Sequence, residues 1–404
     1  VITVTAVNDG IRGKDSITII DGEFNINATE DGIKSNNDTD PEKGNITIDG
    51  GTFNIVSGND GIQAETELTV NGGNYNITTG GGYENASAKE TDAAMEQRWQ
   101  NARGGGAVNE NAEMPQMGEG MTPPTNEDGT LPADGEFTMP ERPDGEMPEG
   151  MQMPDGQTVP DVAGQASSEE STTTENGASD DSSADTSEST AAEETESTSC
   201  KALKAGTLLT VNNGSFTINA EDDSFHSNTD LVINGGSFSV QTGDDAVHAD
   251  NAVTINDGSF DIKNCYEGVE GSTIDINGGT ITLNASDDGI NASDGSATDG
   301  FGGMMQGGNS SLYIRFTGGT VNITAQGDGV DSNGNLYFDG GIVNVVCTSP
   351  GADSAIDADG TIETGGTALT ATSTGTQMLQ VPSDSSSTAS VTVVYTQTQK
   401  AGTK

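Results

Sequence analysis

The chain is poor in positive charge. Its 404 residues hold 14 Lys+Arg against 64 Asp+Glu, a formal net charge of −50. Binding to nucleic-acid phosphates or to an anionic membrane face needs a basic surface, so both partners are excluded. Aromatic residues make up 4% and hydrophobic residues 31%, which is thin for one compact core. No run of 18 apolar residues occurs, so no membrane-spanning helix is expected. The three cysteines, Cys200, Cys265 and Cys347, are odd in number and read as separate thiols rather than a disulfide framework. No leader peptide is visible, and Val1 already sits in the strand-like "VITVTAV". The chain therefore reads as a mature or trimmed piece of a longer protein.

What the chain has instead is glycine, 56 residues of it, and repetition. An acidic turn recurs as "NDGIRG" at 8, "EDGIKS" at 30, "NDGIQA" at 59, "DDAVHA" at 244, "DDGINA" at 287 and "GDGVDS" at 327. A second turn alternates with it, as in "IDGGTFNI" at 48, "VNGGNYNI" at 70, "INGGSFSV" at 233 and "INDGSFDI" at 255. Asp223, Asp245 and Glu267 follow one another at 22 residues (245 − 223, 267 − 245). Each unit carries three short stretches of period-2 alternation, such as "LVIN", "SFSVQT" and "AVHA", which reads as strands joined by Gly/Asn/Asp turns. Short strands in a fixed repeat predict an all-β, right-handed parallel β-helix of about 22 residues per coil, with coils about 4.8 Å apart.

Stacking turns sequence columns into spatial ones. Phe24, Phe53, Tyr75, Phe216, Phe238 and Phe260 form one, giving way to Ile281, Val321 and Val343; its alternation makes it an interior aromatic ladder. The repeat breaks after Tyr83 and resumes at "KALKAGTLLTVNNG". Aligning "LTVNNG" with "LTVNGG" puts Leu203 beside Ile62 and Lys204 beside Gln63. The intervening text is acidic and rich in Pro, Gly and Met, then in Ser, Thr and Glu, a composition that cannot offset its ordering entropy. The expected organisation is N-terminal coils over 1–83, a disordered insertion over 84–199, further coils of the same domain over 200–370, and a cap or tail over 371–404. Shorter insertions at 35–44 and near 293–311 flank the same strand, which marks its face as the functional candidate.

Two carboxylates about 4.8 Å apart repel by roughly 3.5 kcal/mol at an effective dielectric near 20. A hard cation reverses that sign, and calcium takes six to eight oxygens from carboxylates, carbonyls and water. The richest group is Asp287, Asp288 and Asn291, with Asp328 and Asp331 one unit on; Asp244, Asp245, Glu267 and Glu270 form a second. Three residues after each acidic turn lies an outward column, Arg12, Lys34, Gln63, Lys204, His226, His248, Glu270, Asn291, Asp331 and Asp357, running from basic to acidic. His226 and His248 invite a zinc reading, but no third soft ligand shares their column.

The stretches "DGIRGKDSITI", "DGIKSNND", "DGIQAET", "KALKAG", "DDAVHAD", "YEGVEGS", "DDGINASDG" and "GDGVDSNG" resemble the carbohydrate-binding right-handed β-helix family of clostridial and related surface proteins. That family is akin to the family 9 pectate lyases, and the resemblance covers roughly 1–83 and 201–365. It implies a secreted or cell-surface protein that binds calcium and plant polysaccharide, polygalacturonate or cellulose. The lyase relatives hold a uronate carboxylate with calcium and take its C5 proton with a lysine. Their D-D-x-x-D calcium pattern falls here on Asp287, Asp288 and Asn291, with Asn in place of the last acid. The expectation is a calcium-loaded, monomeric, extracellular glycan binder with Lys204, His226 and His248 as substrate contacts. Two alternatives stand beside it: a calcium-dependent polysaccharide lyase with Lys204 as base, and a structural adhesin in which calcium only rigidifies the solenoid.

Overall fold

The computed structural model describes residues 1–89, 199–294, 308–349, 353–374 and 379–394. Their secondary structure is β throughout, apart from one 3₁₀ turn at Tyr83–Asn85. Every pairing between strands is parallel, and each strand pairs with its counterpart one repeat away, as in Phe216 with Phe238 and Phe238 with Phe260. This is the right-handed parallel β-helix expected from the repeat.

One coil shows how the sequence makes the fold. Phe225–Ser227 and Asp230–Ile233 lie in a 17-stranded sheet, and Ser237–Thr242 lies in an 11-stranded one. The turn into Ser237–Thr242 uses the second glycine of "NGG": Gly236 has φ +124°, which a residue with a Cβ rarely adopts. The Asn before it works across coils. Asn234 donates to Asn212, Asn256 to Asn234 and Asn277 to Asn256, at 2.8, 2.8 and 3.0 Å. In two coils the short strands fuse into Val247–Ile255 and Val269–Ile276, so three separate strands per coil is not universal.

The core is the column of inward side chains. Phe24, Phe53, Tyr75, Phe216, Phe238 and Phe260 stack with centroids 4.3–5.2 Å apart and nearly parallel planes. Each ring buries on the order of 1.5–3 kcal/mol of apolar surface, and stacking adds about 0.5–1.5. Where the column narrows to Ile281, Val321 and Val343, Phe316 and Phe338 enter from the opposite sheet and stack at 5.1 Å. The core keeps its volume while the ladder changes sheets. Cys200, Cys265 and Cys347 are buried and are not joined to one another by disulfides.

The strands on either side of the long break join in register: Leu203 pairs with Ile62, Lys204 with Gln63, and Tyr75 with Phe216. Residues 90–198, most of the expected insertion, lie outside the described residues. Of the residues assigned to that insertion, 84–89 are described: Asn85 closes the 3₁₀ turn and its Nδ2 donates to the Gly80 carbonyl at 2.9 Å, while Tyr83 N–H donates to Asn219 Oδ1 at 2.9 Å. The strand Ala368–Ser373 straddles the expected boundary at 370, and beyond it Ser383 and Ser387 donate backbone N–H groups to Ile362 and Thr364.

Candidate functional site

The acidic turn lies where the chain leaves the 11-stranded sheet for the other. The residue after each acid is Gly, Ala or Ser because coils touch there. A Cβ on Gly32 would sit 2.5 Å from the Gly61 carbonyl oxygen and 2.5 Å from Ile55 Cγ2. That contact draws the preceding acid inward. Asp31, Asp60, Asp223, Asp245, Asp287 and Asp288 are buried, at 5% exposure or less.

Burial gives the acid its first task. Asp31 N–H donates to Asp9 Oδ1 at 3.3 Å, Asp60 N–H to Asp31 Oδ1 at 2.9 Å and Lys201 N–H to Asp60 Oδ1 at 2.8 Å. The ladder continues from Asp245 to Asp223 at 3.0 Å, from Glu267 to Asp245 at 3.1 Å and from Asp328 to Asp288 at 2.6 Å. One carboxylate oxygen thus satisfies the otherwise orphaned N–H of the next coil. The repeat of like charge is in part a backbone requirement.

The second oxygen meets the outward column. In the N-terminal coils it finds cations. Arg12 lies 3.4 Å from Asp9, Lys34 2.5 Å from Asp31 and Lys204 3.7 Å from Asp60. Lys201 occupies the acid's own place in its coil and reaches Asp222 at 2.7 Å and Asp223 at 2.9 Å. His226 Nδ1 is 2.8 Å from Asp223 Oδ2, and its Nε2 is 2.9 Å from Asn228 Oδ1. Burial opposes ionisation of Asp223, but hydrogen bonds from His226 and His248 and the charge of Lys201 hold its pKa well below the usual range. Burial raises Asp60, and Lys204 and Ser199 pull it back.

Past His248 the column turns acidic. His248 Nδ1 lies 3.4 Å from Asp223 and 3.6 Å from Asp245, and its Nε2 lies 3.5 Å from Glu270 and 3.6 Å from Asp250. Burial alone would lower the His248 pKa; Asp223, Glu270 and Asp250 raise it. Burial pushes Asp245 well up, and the charges of Asp223 and Glu267 add to it. Glu267 rises through burial and then Glu270; Asp288 through burial and then Asp331 and Glu267. Asp357 is pushed up to about 6 by burial. The sequence offers no relief here, since Arg315 is the only Lys or Arg between residues 264 and 399. Among the described residues no salt bridge reaches Glu267 or Asp288. Glu267 Oε2 and Asn291 Oδ1 are buried with no hydrogen-bond partner there, while Asn291 Nδ2 donates to Glu267 Oε1 at 3.3 Å.

Most of the expected ligands therefore lie together along Asp245, Glu267, Glu270, Asp287, Asp288, Asn291, Asp328 and Asp331. Asp245, His248 and Glu270 bring ligand atoms within 4.8 Å of one another, as do Asp328, Asp331 and Asp357. Asp244 brings a ligand atom within 4.8 Å of Asp222 and Asp223, and it also pairs with Lys89, whose ammonium lies 4.7 Å from the centre of the Tyr266 ring. Besides Lys204, the lysine named for the lyase alternative, Lys89 and Lys201 also stand beside acids, Asp244 and Asp222 with Asp223. Lys201 was legible as the odd residue at an acid position; Lys89 carried no periodic signal.

The fold and this column define a class: a parallel β-helix that lines up buried carboxylates along one edge, paired with cations at one end only. A family model described as carbohydrate-binding domain-containing protein matches residues 1–114, 161–246, 227–268 and 246–399. The chain belongs to that family. No curated protein and no solved structure matches it.

Proposed function

We propose that the chain is a calcium-dependent glycan-binding protein of the cell exterior, recognising plant cell-wall polysaccharide along its acidic-turn edge. Family membership supports glycan binding in general. The observation that carries the calcium reading is the buried pair Glu267 Oε2 and Asn291 Oδ1, oxygens without partners among raised carboxylates. Hard oxygen donors of this density suit calcium rather than zinc. Asp245, Glu267, Glu270, Asp288 and Asn291 would hold the ion, with Asp287, Asp328 and Asp331 beside them. Bound there, calcium would supply positive charge that a polyanionic protein lacks and that a uronate carboxylate needs.

The lyase reading has a specific observation in its favour, because Lys89 and Lys201 stand among these acids. A proton-abstracting lysine must be neutral near working pH. Burial lowers both ammonium groups, but Asp244 for Lys89 and Asp223 with Asp222 for Lys201 win and hold them above the ordinary lysine value. Binding without turnover is the better-supported reading. The test is retention of the full chain on immobilised polygalacturonate with calcium and with chelator, alongside ultraviolet absorbance of unsaturated product. Calcium-dependent retention with flat absorbance supports it; equal elution in both buffers, or steady absorbance growth, overturns it.

A further inference from the structure

The strand aromatics point inward, with two exceptions among the described residues. Tyr313 and Tyr337 sit at outward, half-buried positions of the 17-stranded sheet, in Tyr313–Phe316 and Asn335–Phe338. Their neighbours Ile314, Phe316, Leu336 and Phe338 are fully buried, so the alternation fixes both tyrosines on the outer face. Arg315 pairs in register with Tyr337 on one side and Asp275 on the other. Its guanidinium carbon lies 5.3 Å from the centre of the Tyr313 ring and 4.7 Å from that of Tyr337, and the two rings meet edge-on at 6.2 Å.

The polar groups of this patch are held but not saturated. Tyr313 Oη donates to Asp275 Oδ2 at 2.9 Å, which orients its ring. Arg315 Nε has no hydrogen-bond partner among the described residues although it is shielded from water; its nearest acid, Asp339, is 3.7 Å away. A shielded donor without a partner costs free energy until something accepts from it. Two half-buried rings, set edge-on to each other beside a guanidinium and two carboxylates, offer apolar surface edged by donors and acceptors. A pyranose presents the complementary pair, a face of C–H groups and a rim of hydroxyls.

We propose that Tyr313, Arg315 and Tyr337 form a second glycan subsite, one that takes a neutral hexopyranosyl chain without a metal. The occupant is neutral because Asp275, Asp339 and Glu363 border the patch and Arg315 is its only cation. A uronate would meet more repulsion than attraction there. The subsite lies on a different stretch from the acidic turn: Asp275 is five residues past Glu270, beyond the break in alternation at Ser272–Thr273, and at most about 16 Å away by chain length. It rests on the glycan-binding reading above but not on calcium.

The test titrates the full chain with cellohexaose by calorimetry, with and without chelator, for the native protein and for Tyr337→Ala, Tyr313→Ala and Arg315→Ala. Circular dichroism checks that each variant keeps its β signal, and Tyr337→Phe serves as the variant that keeps the ring. The expected result is binding unchanged by chelator, weakened tenfold or more by each Ala substitution and kept by Tyr337→Phe. No binding by the native chain, equal binding by the Ala variants, or loss of binding in chelator would overturn it. So would metal-free binding of oligogalacturonate that competes with cellohexaose. Calcium-dependent retention on polygalacturonate is read separately, so either subsite can fail without the other.

Discussion

The acidic turn is built in the same way at both ends of the solenoid, yet its charge is balanced at one end only. Asp9, Asp31, Asp60 and Asp223 each meet Arg, Lys or His, and Asp223 is held well below the usual carboxylate range. Asp245 and Asp288 make the same bond to the next coil's N–H, whereas Glu267 only donates its own N–H to Asp245; all three lie among other acids and are pushed well up. The shared part of the design is structural, because it satisfies a backbone donor in every coil that has it. The part that differs is what a ligand can use. At the N-terminal end the protein supplies its own cations; at the C-terminal end the proposed calcium would have to supply the charge.

The largest effect should come from breaking the balanced end. Lys201→Met leaves Asp222 and Asp223 facing each other without the ammonium between them, and removing one partner of a buried pair costs about 3–5 kcal/mol. Urea denaturation in chelator measures this; a loss under about 1 kcal/mol would mean that Lys201 does not balance the column. Next, calcium at 100 times its dissociation constant should add about 2.7 kcal/mol to the native chain. A melting curve that is the same in calcium and in chelator would erase the difference between the ends.

Neutralising one acid should then act oppositely in the two halves. In chelator, Asp288→Asn should stabilise the chain, because burial and the charges of Asp331 and Glu267 disfavour the ionised carboxylate, and it should remove much of the calcium gain. Asp31→Asn breaks the Lys34 pair and should destabilise in both buffers. If both substitutions shift stability in the same direction in chelator, the two ends are not different.

The pH response follows from the signs. Asp245, Glu267, Asp288 and Asp357 bind protons in the folded chain that the unfolded chain has already released, so without metal stability falls as pH rises from about 4 through their raised values, that of Asp357 being about 6. Asp223 works the other way: its contribution is present above the ordinary carboxylate value and is lost as pH falls through its lower folded value. The raised His248 contributes fully below its ordinary 6.5 and loses that contribution as pH rises through its folded value. In chelator the melting temperature should therefore be higher at pH 5 than at pH 8, and calcium should narrow or reverse the gap. The smallest effect belongs to Arg12→Ala, a largely exposed pair worth under about 1 kcal/mol and less at high salt.

In a solenoid, spatial neighbours are one period apart in sequence, which is why register was readable. The phenylalanine column, its replacement by Ile281, Val321 and Val343, and the pairing of Lys204 with Gln63 all follow from counting. The carboxylates' role in the backbone was not readable, because alternation treats a charged turn residue as outward. Here the close coil contact at Gly32 and its equivalents turns the acid in. Lys89 was invisible for another reason. It meets Asp244 across 155 residues, at the edge of a non-repeating segment where no period applies. The alternation of "YIRF" and "NLYF" does place both tyrosines outward, but their pairing through Arg315 depends on which strands stack across the 293–311 insertion.

The most direct measurement is a calorimetric titration of calcium into the chelator-treated full chain at neutral pH, repeated for Glu267→Gln and for Asp31→Asn. The account predicts saturable binding by the native chain, kept by Asp31→Asn and lost or greatly weakened in Glu267→Gln. No calcium uptake by a folded native chain, or equal uptake by Glu267→Gln, would contradict it.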